Sequence, residues 1–179
     1  MRHTTKYGRR SGRQISVLMT MLLLGLLTLG GCGSDDDPAD PGGGGGGGIG
    51  GTVTATVNGE SFSAAVVQGV RNGGIIGVGS SNVGAELAIG FGWLDTGEPS
   101  YTISVGSAAN GTVIKAGGGT WQASGDQGSG TIFVETLTAT RVAGTFSFTA
   151  VVVGTTGSPA TMNVTNGTFD AELAPPAVP

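Results

Sequence analysis

From Thr52 to Leu173 apolar and polar residues alternate with a period of two, as they do in strands that bury one face. Val53, Ala55 and Val57 fall on one side and Thr52, Thr54 and Thr56 on the other; Asn58-Gly59, which accepts positive φ in a tight hairpin, comes next. The return strand is predicted over Ser61 to Gln68. The longest stripe is Ala85, Leu87, Ile89, Phe91 and Trp93, set against Glu86, Ala88, Gly90 and Gly92, and Tyr101, Ile103 and Val105 form a shorter one. Near the end Val142, Phe146, Phe148, Ala150 and Val152 share a face opposite Thr145, Ser147 and Thr149, while Phe169, Ala171 and Leu173 oppose Thr168, Asp170 and Glu172. Ile132 and Val134 are out of phase with Leu137 and Ala139, which predicts a bulge near Glu135 or Thr136. Asn-Gly recurs at Asn72-Gly73, Asn110-Gly111 and Asn166-Gly167, each predicted as a further hairpin turn.

No segment after Cys32 reads as a helix longer than a turn. Composition agrees: Gly accounts for 37 of 179 residues and charged residues for only 11%, a bias that favours strands and turns. The predicted fold class is all-β, an antiparallel β-sandwich or small β-barrel of roughly eight to ten strands. Strand order stays open at this level.

The pattern before Thr52 is different. Residues 1–14 hold five basic side chains and no acidic one, and Ile15 to Leu29 is an apolar run of the length of a signal-peptide core rather than a full membrane span. Arg9-Arg10 is followed by Ser11-Gly12-Arg13 instead of apolar residues, so the general secretory route is expected over the twin-arginine one. Gly33 to Gly51 carries acidic residues, Pro38, Pro41 and a run of glycines, and has too little apolar surface to fold. As a flexible coil of about 19 residues it would reach roughly 25 Å. The expected organisation is a signal peptide over 1–31, Cys32 with a flexible tether over 32–51, a β-domain over 52–173, and a frayed Pro-rich tail over 174–179.

Leu29-Gly30-Gly31-Cys32 resembles the lipobox of bacterial lipoproteins, an aliphatic residue and two small ones before a cysteine. The resemblance implies that the lipoprotein-processing machinery recognises Leu29, Gly30 and Gly31, diacylates the Cys32 thiol and cuts before it. Two or three acyl chains, at about 0.8 kcal/mol per buried methylene, hold a protein on a membrane where one would be marginal. Gly33 stands where an aspartate would favour inner-membrane retention in that family, so an outer-membrane location, on the periplasmic or surface face, is implied. The arrangement TVTATVNGESFSA near the start, with TIFVETLTATRVAGTFSFTA and MNVTNGTFDAEL near the end, resembles a family of uncharacterised β-rich domains of bacterial lipoproteins, in which Phe62 would fill a recurrent aromatic position. That likeness implies fold and envelope location and no chemistry.

Charge narrows the partners. After residue 32 there are three cations (Arg71, Lys115, Arg141) against twelve carboxylates, a net of −9, which leaves no electrostatic footprint for nucleic acid. With His3 the only histidine and Cys32 the only cysteine, the mature chain cannot build a Ser-His-Asp triad, a Cys-His pair or a zinc site. A glycosidase needs only two carboxylates, and Glu60, Glu86, Asp95, Glu98, Asp126, Glu135, Asp170 and Glu172 are available, yet all are spaced as turn or solvent-side residues. Asp95-Thr96-Gly97-Glu98 and the loop from Ser124 to Ser129 offer oxygens to a hard cation without the ligand density of a calcium loop. Gly117, Gly118 and Gly119 lack the Lys-Ser/Thr of a phosphate cradle and read as loop. No metal or cofactor is expected. Trp93 continues a core stripe and is expected to be buried; Trp121, between Thr120 and Gln122, is the exposed candidate for stacking on a sugar ring.

These features lead to a non-catalytic, lipid-anchored envelope protein with a binding or structural role, its partners the membrane through Cys32 and a glycan or protein ligand. A glycan- or small-ligand-binding module near Trp121 is the alternative reading, and a carboxylate-dependent enzyme the third.

Overall fold

The computed structural model describes residues 50–125, 127–154 and 159–173. The signal segment with Leu29, Gly30 and Gly31, Cys32, the tether up to Ile49, Asp126 and the tail from 174 onward lie outside the described residues. The fold is all-β: eleven strands in one curled antiparallel sheet, with a single 3-10 turn (Val83–Ala85) among the described residues.

Strands β1 (Gly51–Val57) and β2 (Glu60–Ser63) form the hairpin expected from Asn58-Gly59, whose φ angles of 48° and 89° are those such a turn needs. The return strand is shorter than predicted. At Ala64 and Ala65 the backbone leaves Val53 and bonds to Ser81 instead, so that Val66–Asn72 is a separate strand, β3. It pairs with β4 (Ile75–Ser81) through Gly73-Gly74, with φ of 57° and 80°; the hairpin is where Asn72-Gly73 predicted it, one residue later in phase.

Next come β5 (Leu87–Leu94), β6 (Ser100–Ile103), β7 (Asn110–Lys115), β8 (Gly119–Ala123), β9 (Ser129–Leu137), β10 (Arg141–Val152) and β11 (Thr161–Glu172). The sheet runs β2-β1-β11-β10-β8-β7-β5-β4-β3, and β10 is its fork. Val142 to Thr149 of β10 pairs with β9, whereas Val151 and Val152 pair with β8. Strand β6 does not sit between β5 and β7, which pair directly, but joins the edge of β9. At the far end β3 meets the end of β11 through a parallel bridge from Gly69 to Leu173, which turns an open sheet into a curled one.

Two of the predicted Asn-Gly turns are not turns. Asn110-Gly111 lies inside β7, where a Cβ on Gly111 would stand 2.9 Å from the Phe148 ring; this glycine makes room for an aromatic face. Asn166-Gly167 lies inside β11, and Asn166, with φ of 51°, makes a bulge against both neighbours, shifting register at Thr54/Thr56 and at Phe146/Phe148. The bulge predicted near Glu135 is present: Ala143 pairs with Thr136 and Gly144 with Val134, leaving Glu135 between them.

The curled sheet closes on aromatic rings. Phe91 of β5 stacks on Phe146 of β10 at 4.3 Å and meets the edge of Phe169 of β11 at 5.1 Å, and Trp93 lies 6.2 Å from Phe169. Each such side chain removed from water contributes about 1.5–3 kcal/mol. Ile89, Phe91 and Trp93 are buried as their stripe predicted, but Ala85 is outside it, exposed in the 3-10 turn at φ 53°. Val105 likewise falls beyond β6 and is exposed. β4 and β5 are not half-exposed as alternation implies. Their outward positions pair glycine with glycine, Gly77 with Gly92 and Gly79 with Gly90, and these residues sit low between the side-chain rows of β3 and β7.

Candidate functional site

A polar cluster stands at one end of the sheet, over Trp93. Continuing the inward phase of β5 two residues past Trp93 brings Asp95 to the end of the core, and the matching phase of β3 brings Arg71 beside it, because Arg71 pairs with Ile76 and Ile76 with Trp93. The Arg71 guanidinium donates to Asp95 Oδ2 at 2.9 Å. Asp95 Oδ1 accepts from the Gly97 amide at 3.1 Å, closing an Asx turn, and from the Tyr101 hydroxyl at 3.4 Å. The Asp95 side chain is only 13% exposed while Arg71 reaches solvent at 40%. Tyr101 in turn packs on Trp93, ring centres 5.5 Å apart.

This geometry fastens strands. Asp95 ties the end of β3 to the β5–β6 loop and to β6, the strand that departs to the other branch of the sheet. Three donors converge on the Asp95 carboxylate, which makes the arrangement a clamp. Beneath it the Trp93 indole N–H is buried without an acceptor among the described residues.

The other residues singled out in the sequence are dispersed. Trp121 is not the exposed stacking residue expected: it is fully buried, and its indole N–H donates to the Pro159 carbonyl at 2.7 Å. The reason is its phase, since Trp121 pairs with Val113 on the inward side of β7, and its polar flanking residues face the other way. Glu60, Glu86, Glu98, Glu135 and Glu172 are exposed on separate elements. Asp170 and Glu172 share a face of β11, but Arg141 holds Asp170 through both guanidinium arms. Among the described residues no group of three or more His, Cys, Asp or Glu side chains is placed to hold a metal.

The loop after Ser124 is a tight turn, with Ser124 and Gln127 exchanging backbone hydrogen bonds at 2.7 and 3.0 Å. Gly117 to Gly119 turn β7 into β8, with the Gly118 amide donating to the Lys115 carbonyl. The Arg71–Asp95–Tyr101 cluster was beyond sequence reasoning. Arg71 was visible as one of three cations, but its partner lies 24 residues away and is chosen by register.

The fold and this clamp define an all-β domain of curled antiparallel sheet closed on an aromatic core. Compared with protein-family models, curated proteins and solved structures, the chain matches none.

Proposed function

We propose that the protein is a lipid-anchored component of the bacterial cell envelope, whose β-domain is held away from the bilayer by the glycine tether and serves a binding or structural role rather than catalysis. One observation carries this reading: a basic segment, an apolar run of signal-peptide length, Leu29-Gly30-Gly31 and the sole cysteine coincide within the first 32 residues. Acyl chains on Cys32 anchor the chain, and the outer membrane is its destination. The non-catalytic reading rests on the residue inventory: after His3 there is no imidazole and after Cys32 no thiol, so the usual nucleophile–base pairs have no members.

The test uses the full chain expressed in a bacterial host. Wild-type protein should incorporate a palmitate label and sediment with outer-membrane fractions, and the Cys32→Ser variant should lose both. Labelling or membrane association that survives the substitution would defeat the proposal.

A further inference from the structure

One outer face of the curled sheet carries rows of hydroxyl side chains. Pairing registers align a row across six strands: Ser100 on β6, Phe133 on β9, Thr145 on β10, Thr168 on β11, Thr54 on β1 and Ser63 on β2. A parallel row runs through Thr102, Thr131 and Ser147 and resumes, past the β11 bulge that carries Thr165 and Asn166, with Thr56 paired to Ser61. Both rows face solvent. At about 4.8 Å between strands, each spans roughly 24 Å. Within the first row Thr54 and Thr168 already join hydroxyl to hydroxyl at 2.8 Å.

Two properties mark these rows. Neither contains a charge, although exposed strands and especially short edges such as β2 and β6 are usually guarded by charged side chains. On the same face Asp170, Glu172 and Arg141 lie beyond the first row, where Arg141 holds Asp170. The first row also holds Phe133, which is 43% exposed and is the aromatic among the exposed large apolar side chains.

From this placement we infer that the face is a docking track for an uncharged, hydroxyl-rich polysaccharide. Ser and Thr hydroxyls both donate and accept, as sugar hydroxyls do, so a neutral glycan finds partners in either sense. Phe133 offers a flat apolar surface to the C–H face of a sugar ring. Neither partner strips water from a charge, the costly step in docking on an acidic domain. An anionic polymer is repelled by the net negative domain, and a cationic one finds no carboxylate in the rows. The inference rests on reading the β-domain as a non-catalytic binding domain and is independent of the anchor, so gel retardation and palmitate labelling succeed or fail separately.

The experiment is native affinity electrophoresis of the detergent-solubilised full chain in gels cast with hydroxyethyl cellulose, dextran or galactomannan, and with alginate as the anionic comparison. At least one neutral polymer should retard the protein, with little dependence on salt. Phe133→Thr should weaken retardation about two- to tenfold, and Thr145→Lys, in the same row, should weaken it independently. Val83→Lys, on the exposed 3-10 turn, should leave it unchanged. Circular dichroism confirms that each variant is folded. Absence of retardation in every neutral polymer, preference for alginate, or indifference to both row variants would overturn the inference. So would sedimentation as a dimer that Phe133→Thr dissociates, which would assign the face to a second copy of the chain.

Discussion

Arg141 opens β10 opposite Glu172 and reaches across to Asp170. Hydrogen bonds from the guanidinium hold the Asp170 carboxyl below its usual range, and the same contact, helped by the nearby Glu172 charge, raises Arg141. A carboxyl depressed by folding stabilises the folded state at pH values above its unfolded value of about 3.9, and that contribution disappears as pH falls through the lowered folded value. Asp170→Asn should therefore lie below the wild type in stability near neutral pH and converge with it in strong acid, as measured by urea midpoints across that range. The difference should be small, since the pair is exposed and screened by water and salt. At this scale the sequence was legible in one direction only. The stripe that places Phe91, Phe146 and Phe169 inward is local alternation, but whether Trp121 is inward or outward depends on the phase of a five-residue strand, and polar neighbours gave the wrong answer.

The elements show how one dipeptide takes three roles. Asn-Gly makes a turn at Asn58-Gly59, gives space to the Phe148 ring at Gly111, and bulges β11 at Asn166. Only the preference of Asn and Gly for unusual backbone angles is encoded locally; what lies across the strand decides its use. Asn166→Val puts a β-branched residue at φ 51° and should cost about 1–2 kcal/mol, whereas Asn166→Gly should stay within a few tenths of the wild type. Urea midpoints with unchanged slope would show this, and an equal loss in both variants would point to a side-chain contact instead. The bulge at Glu135 was legible beforehand because it breaks alternation within one strand; the bulge at Asn166 was not, because the hairpin reading of Asn-Gly concealed it.

At the scale of the molecule, the seam between β3 and β11 converts a sheet into a closed core. Gly69 is its narrow point, since a Cβ there would run into the carbonyl oxygen of Glu172, a backbone atom that cannot swing aside. Gly69→Ala should lower stability by about 1–3 kcal/mol through overpacking and speed hydrogen exchange at the end of β11. Gly50→Ala, where a Cβ meets nothing within 4 Å, should do neither. Thermal unfolding together with exchange protection distinguishes a strained seam from a general loss of stability.

The sequence by itself determined the all-β class, the inward stripes of the long strands and the hairpins whose turns are local. These follow from alternation and backbone preference, which act over a few residues. The tertiary structure alone decided that β6 leaves β5 for β9, that β10 forks, that Trp121 is buried and that Arg71 meets Asp95. It also gathered Ser and Thr residues from six strands into rows on one face. Each of these is a matter of register between distant segments, and register is settled when strands compete to bury their apolar faces together, a cooperative choice that no short window of sequence contains.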